Sequence, residues 1–178
     1  MLPLTEPEIR ASFVNCTKGE AKRLAVPRDL DERPWTDLDF LGWRDPAAAE
    51  RAYLVAESGS GLVGVTLRAA PQTGRVRRSM CSFCLTTHTG DGVSLMTARK
   101  AGREGRQGNS VGAYLCADLA CSLYLRGKKD AGRRLDETIT LAEKVERTTA
   151  SLAAFLGRVG GVTLLRSPGP PGTAGTRP

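Results

Sequence analysis

Four of the five cysteines in this 178-residue chain fall in two close pairs, and this spacing constrains the fold more than any other feature. Two residues separate Cys81 from Cys84, four separate Cys116 from Cys121, and 31 lie between the pairs. Two pairs of thiolates can close a tetrahedron around Zn²⁺ and leave no coordination position open for water. The pattern therefore predicts one structural Zn²⁺ ion, with reduced, buried and unliganded cysteines as the alternative.

The remaining cysteine and the single histidine are poorer candidates for zinc ligands. Cys16 is distant in sequence and has no second cysteine near it, so we expect it to be a small core residue. His88 follows Cys84 by four residues and could replace a cysteine, but four thiolates already complete the shell. An odd number of cysteines, with no leader peptide after Met1 and no long apolar run, predicts a cytoplasmic protein without disulfides or a membrane span.

The residues between and after the cysteine pairs predict the remaining parts of a treble clef. Residues 93–97 and 111–115 are typical of strands, and a Gly- and Arg-rich loop lies between them. Asp118 is a suitable N-cap for a short helix over residues 119–126, which Gly127 would end. A knuckle, a hairpin and a helix that carries the last ligand form the treble-clef zinc finger.

The N-terminal region predicts two short helices, a folded loop and a hairpin. Two Thr-x-x-Glu capping boxes mark the helices, Thr5 with Glu8 and Thr17 with Glu20. Residues 27–49 predict a loop, and residues 51–57 and 62–68 predict an antiparallel hairpin across a Ser-Gly turn. The expected core anchors of the loop are Trp35, Phe40 and Trp43.

The C-terminal region predicts one long amphipathic helix followed by a tail. Residues 135–159 contain one largely apolar stripe at steps of three and four, namely Leu135, Ile139, Ala142, Val145, Thr149, Leu152, Leu156 and Val159. Gly160 and Gly161 would stop this helix. The predicted architecture is α+β: an N-terminal helix and hairpin region (1–74), a treble-clef zinc finger (75–134), a long C-terminal helix packed on both (135–162) and a disordered tail (163–178).

The net charge of +7 is concentrated in residues 75–134, which contain twelve Lys or Arg and four Asp or Glu. Such a segment favours an acidic partner, which could be a nucleic acid, a ribosome or an acidic protein surface. The candidate contact residues are Arg99, Lys100, Arg103 and Arg106 in the loop and Arg126, Lys128 and Lys129 after the last cysteine. We do not expect an enzyme that acts on a small-molecule substrate, because the only histidine that could serve a nucleophile as base is His88, beside the metal site.

Three runs carry a family resemblance: NCTKGE at residues 15–20, MCSFC at 80–84 and SVGAYLCADLAC at 110–121. They resemble the elongation factor G-binding proteins, the family of the fusidic acid resistance proteins, and above all the C-terminal treble-clef zinc finger of that family. The resemblance implies that the chain binds elongation factor G through its finger and promotes release of the factor from the ribosome, which protects translation from fusidic acid. It also implies a factor-facing surface around Phe83, Tyr114 and Tyr124. A zinc-stabilised protein that binds RNA or the ribosome is the alternative.

Overall fold

The computed structural model describes residues 1–59, 61–71, 78–131 and 137–160. The strands of this described part are β1 (Leu41–Arg44), β2 (Arg51–Ser58), β3 (Gly61–Ala69), β4 (Arg78–Met80), β5 (Thr87–Thr89), β6 (Val93–Arg99) and β7 (Ser110–Cys116). Its α-helices are α1 (Glu6–Ala11), α2 (Lys18–Arg23), α3 (Gly102–Arg106), α4 (Cys121–Leu125) and α5 (Leu141–Gly160). Five strands form one antiparallel sheet in the order β1-β2-β3-β6-β7, and β4 pairs with β5. The predicted α+β class is confirmed.

The sheet joins the predicted N-terminal region to the predicted zinc finger. The expected hairpin is β2 and β3, in which Arg51 lies opposite Arg68. At the end of β3, Arg68 pairs with Thr97 of β6, and β6 continues into a second hairpin with β7. The two hairpins therefore share one hydrogen-bonded sheet, although the predicted boundary after residue 74 lies in a segment outside the described residues.

The two faces of this sheet are covered by two hydrophobic cores. Residues 52–56 of β2 are all buried, as expected for a strand whose uninterrupted apolar run is covered on both sides. Leu54 belongs to a core that also contains the paired cysteines and the buried apolar side chains of α5. Tyr53 and Val55 belong to the other core, which contains Ile9 of α1 and both tryptophans.

Sequence signals in the N-terminal region are largely confirmed. Both capping boxes are present, so α1 begins after Thr5 and α2 after Thr17. The predicted anchors Trp35, Phe40 and Trp43 are all buried. Residues 41–44 form β1, which the interpretation of 27–49 as a loop missed, because pairing with β2 stabilises this strand.

The long C-terminal helix is present, but it begins later than the periodicity predicted. A third capping box, formed by Thr140 and Glu143, starts α5 at Leu141 instead of residue 135. The buried side chains are Thr148, Leu152, Phe155, Leu156 and Val159, so the core-facing stripe includes Thr148 and Phe155 in place of Val145 and Thr149. The predicted tail (163–178) lies outside the described residues. Within the described ranges, no helix has both the length and the apolar character needed to cross a membrane.

Candidate metal centre

The four paired cysteines meet at one buried point. Their Sγ atoms all lie within 4.8 Å of one another. Cys81 Sγ is 3.7 Å from Cys121 Sγ, and Cys84 Sγ is 3.5 Å from Cys116 Sγ. A tetrahedron with Zn–S bonds of about 2.3 Å has sulfur-to-sulfur edges of about 3.8 Å. The donor set and its dimensions therefore fit one Zn²⁺ ion.

Each ligand pair is held by a different part of the finger. The first pair lies in a turn after β4, where the Phe83 N–H donates to Cys81 Sγ over 3.4 Å. The second pair joins the last residue of β7 to the first residue of α4. The Ser82 N–H donates to the Tyr114 carbonyl at 2.7 Å, which ties the first turn to β7. Turn, hairpin and ligand-bearing helix are thus arranged as a treble clef.

The four clustered thiols alter one another's pKa. Hydrogen bonds with Cys116, Cys121 and Cys84 lower the pKa of Cys81, whereas hydrogen bonding to Cys116 and burial raise the pKa of Cys121. Four adjacent sulfurs cannot all be ionised without a cation, because neighbouring thiolates repel one another. A bound divalent cation removes this conflict, because metal-ligating sulfurs are thiolates.

The turn between Cys116 and Cys121 differs from the prediction. Asp118 is not the N-cap of α4, because the helix begins only at Cys121. Leu119 adopts a left-handed φ of 58°, which reverses the chain within the four-residue link. Asp118 instead accepts hydrogen bonds from the Ala120 N–H, the Tyr124 hydroxyl and the Lys129 ammonium. Burial acts to raise the pKa of Asp118, but these hydrogen bonds outweigh it and leave the pKa below its usual value.

His88 lies beside the four sulfurs and outside their set. Its Nε2 is 3.3 Å from Cys116 Sγ, and its ring packs edge-to-face on Tyr124 at a centroid distance of 4.7 Å. A Cβ at Gly92 would lie 2.5 Å from the His88 Cβ, so glycine is needed there to admit the imidazole. The contact from His88 therefore helps to orient the Cys116 sulfur toward the metal centre.

The three aromatic residues predicted to face a partner have different environments. Phe83 is only 2% exposed and packs edge-to-face on Phe40 and Phe155, so its predicted role on the surface is wrong. Phe83 is buried because the turn that holds Cys81 and Cys84 packs against α5. Tyr124 is half-buried beside His88. Tyr114 is 56% exposed, so its ring is accessible at the surface.

The predicted cations divide into two groups. Arg99, Lys100, Arg103 and Arg106 lie at the end of the β6–β7 hairpin opposite the metal centre, where Lys100 pairs with Glu104. After α4, Arg126 and Lys128 instead fasten the finger to the N-terminal loop through Asp39 and Asp37. Lys129 pairs with Asp118 inside the finger. Cys16 is half-buried against the core that contains both tryptophans.

We expect Arg126→Gln to lower the free energy of unfolding by about 2 kcal/mol, because it removes charge-assisted hydrogen bonds from a largely buried carboxylate. Both Arg126 terminal nitrogens donate to Asp39, whose side chain is only 9% exposed. The matched control, Lys128→Gln, breaks a more exposed pair and should cost less than about 1 kcal/mol. Urea unfolding measures both values. Equal losses of unfolding free energy in the two variants would contradict the prediction that the Arg126–Asp39 pair stabilises the fold more than the Lys128–Asp37 pair.

Sequence reasoning missed the apolar residues near Tyr114, which are Leu95 on the neighbouring strand and Met80 at the end of β4, a strand that contacts β7. We call Met80, Leu95 and Tyr114 the apolar patch. Leu95 of β6 lies directly opposite Tyr114 of β7. Met80 is 49% exposed and immediately precedes the first zinc ligand. In the sequence, the position of Met80 beside Cys81 places it in the zinc finger. Only the hydrogen bond from the Ser82 N–H to the Tyr114 carbonyl shows that the first cysteine turn adjoins β7.

One buried centre of four cysteine thiols in this arrangement defines a treble-clef zinc-finger protein. The family model described as the FBP C-terminal treble-clef zinc finger matches residues 8–159, so the chain belongs to that family. The resemblance found in the sequence is thereby confirmed.

Comparison with solved structures gives the same fold. The chain is similar to a structure described as that of the fusidic acid resistance protein FusC, with a TM-score of 0.51 and 17% sequence identity. The likeness covers 79% of this chain and 54% of that one, so the chain spans about half the length of FusC. Comparison with curated proteins finds no match.

Proposed function

We propose that this protein binds elongation factor G through the apolar patch of its zinc finger and promotes release of the factor from the ribosome. Release of this kind protects translation when fusidic acid holds the factor in place. Membership of the FBP family supports the choice of partner, and the exposed ring of Tyr114 is the observation that carries the choice of surface. The role is one of binding in the cytoplasm, without catalysis or a small-molecule substrate.

The metal centre supports this role by fixing the strand that carries the patch. Cys116 follows Tyr114 by two residues on β7, and the first cysteine turn is hydrogen-bonded to the Tyr114 carbonyl. A surface that is rigid before binding loses less conformational entropy in the complex. Tyrosine is also one of the residue types that most often anchor protein interfaces. The exposed cations Arg103 and Arg106 add long-range attraction to an acidic partner.

We expect Tyr114→Ala to weaken binding to elongation factor G at least tenfold, because an interface anchor contributes about 2 kcal/mol or more. Isothermal titration calorimetry of the full chain with the factor measures the change in Kd. The same variant should fail to release the factor from ribosomes stalled with fusidic acid in a sedimentation assay.

Leu2→Ala is the matched control, since Leu2 is also exposed but lies far from Tyr114. The Leu2 N–H donates to Glu57, near the turn of the β2–β3 hairpin, whereas the finger pairs with the other end of β3. This control should leave the Kd within twofold of the original chain. Unchanged binding by Tyr114→Ala would place the contact surface elsewhere. Loss of binding in the control as well would show that the assay responds to any exposed apolar side chain.

A further inference from the structure

A second surface, which shares no residue with the apolar patch, is an open cleft of about 810 Å³ between α2, one face of the sheet and α3. We call it the basic cleft. Its lining includes six cationic side chains, from Arg23, Arg51, Arg68, Arg99, Lys100 and Arg106. The acidic side chains of its lining are Glu20 and Glu50, so the walls carry a net excess of four positive charges. The N-terminal region and the finger contribute to it together.

Strand pairing places several of these cations side by side. Arg51 of β2 lies directly opposite Arg68 of β3, and Arg68 lies opposite Thr97 of β6. Arg99 follows Thr97 by two residues and therefore shares its face of the sheet. Like charges directly opposite on a sheet destabilise it. Three carboxylates partly offset this row, because Glu50 lies 3.9 Å from the exposed Arg51, Asp45 also attracts Arg51, and Glu20 attracts Arg99. The six cations still outnumber the acidic side chains of the lining, which favours an anion.

The floor and one wall of the basic cleft are fixed in position. The buried Asn15 donates from Nδ2 to the carbonyls of Thr66 and Arg99 at 3.0 Å, and it accepts from the Thr66 N–H. This side chain joins the α1–α2 connection to β3 and β6. On the opposite wall, a Cβ at Gly105 would overlap the Lys100 carbonyl oxygen, so glycine lets α3 fold tightly back on β6. The cations thus project from a preformed frame.

We propose that the basic cleft binds the phosphodiester backbone of a single-stranded nucleic acid. Its lining combines guanidinium groups with the hydroxyl of Ser110, and both kinds of group contact phosphate oxygens. The Thr66 and Thr97 hydroxyls instead donate to Asn15 Oδ1 and to the Arg68 carbonyl. A concave basic groove accepts a single strand, whereas duplex DNA is read by elements that project into it. Tyr53, the aromatic residue of the lining, is buried, so the contacts are to the backbone and independent of sequence.

An acidic protein segment fits the basic cleft less well. Protein interfaces gain most of their affinity from apolar or aromatic anchors. Among the described residues, the exposed large hydrophobic side chains are Leu2, Met80, Tyr114 and Leu141, and none of them lines the basic cleft. The affinity of this surface therefore comes from charge, as in non-specific nucleic-acid binding.

The test uses the full chain and a fluorescein-labelled rU12 oligonucleotide, with anisotropy measured between 50 and 200 mM KCl. We expect Arg68→Gln combined with Arg99→Gln to weaken binding at least tenfold. The slope of log affinity against log salt should fall by about 1.4, at about 0.7 for each lost phosphate contact on a single strand. The charge-matched control is Lys22→Gln combined with Arg28→Gln, because both residues lie outside the lining. It should stay within twofold of the original chain.

Parallel titrations with dT12 and with a twelve-residue polyglutamate peptide separate the possible ligands. Binding of rU12 tighter than dT12 supports RNA as the natural source, and equal binding supports the shared phosphodiester chemistry. No binding of either oligonucleotide, equal losses in the two double variants, or polyglutamate binding as tight as rU12 would each overturn the proposal. Tyr114→Ala should leave rU12 binding unchanged, so the outcome for the basic cleft is independent of binding to elongation factor G.

Discussion

Cys81→Ser is expected to remove the zinc ion and abolish the cooperative unfolding transition of this protein. Binding of structural zinc contributes about 10–16 kcal/mol in zinc-finger peptides, which is comparable to the total stability of an ordinary domain, about 5–15 kcal/mol. Cys81 is completely buried in the core that contains the β2–β3 hairpin, so loss of the metal affects the sheet as well as the finger. Zinc analysis by mass spectrometry and thermal unfolding by circular dichroism measure the two effects.

The control for this prediction is Cys16→Ser, which changes a half-buried thiol outside the metal centre. It should retain about one zinc ion per chain and the original unfolding transition to within about 1 kcal/mol. Treatment of the original chain with a strong chelator should reproduce the effect of Cys81→Ser. If Cys81→Ser keeps its zinc and its thermal midpoint, the four cysteines are not the ligand set.

Phe83→Ala is expected to lower the free energy of unfolding by about 3–5 kcal/mol, the usual cost of deleting a large ring from a packed core. Phe83 lies between the first two ligands, and its ring centroid is 6.4 Å from that of Phe40 and 5.6 Å from that of Phe155. Thr148 of α5 also donates a hydrogen bond to the Phe83 carbonyl. The substitution therefore leaves a cavity where the first cysteine turn, the sheet and α5 meet. Urea unfolding with an unchanged m-value measures the loss.

The exposed ring of Tyr114 provides the comparison for Phe83. Tyr114→Ala should change the free energy of unfolding by about 0.5 kcal/mol or less, because the side chain lies on the surface. Phe83 is then expected to control the stability of the finger, and Tyr114 its binding to elongation factor G. A loss of stability below about 1 kcal/mol for Phe83→Ala would show that this part of the core repacks around the missing ring.

Local features of the fold were predictable where neighbouring residues determine them. The Thr17–Glu20 capping box and the β2–β3 hairpin depend on hydrogen bonds within a few residues, and both are present as expected. The start of α5 was wrong because apolar periodicity continues back to residue 135, whereas the helix begins at the capping box of Thr140. Periodicity shows which face of a helix is apolar, and the cap determines where the helix begins.

Features that depend on contact between distant segments were not predictable. Strand β1 exists because β2 pairs with it, and its own four residues carry no signal strong enough to distinguish it from a loop. The apolar patch needs the contact between the turn after Met80 and strand β7. The row of arginines in the basic cleft needs both the hairpin register and the pairing of β3 with β6. In each case the partner residue is far away in the chain.

The sequence by itself determined the chemistry of the metal centre, because four thiols at this spacing suit one tetrahedral ion and little else. It also determined the treble-clef order of turn, hairpin and helix around that ion. Only the tertiary structure decided which aromatic side chain is buried and which is exposed, since Phe83 and Tyr114 are both aromatic neighbours of zinc ligands in the sequence. Burial depends on what packs against a residue, and here α5 packs on Phe83 and leaves Tyr114 exposed.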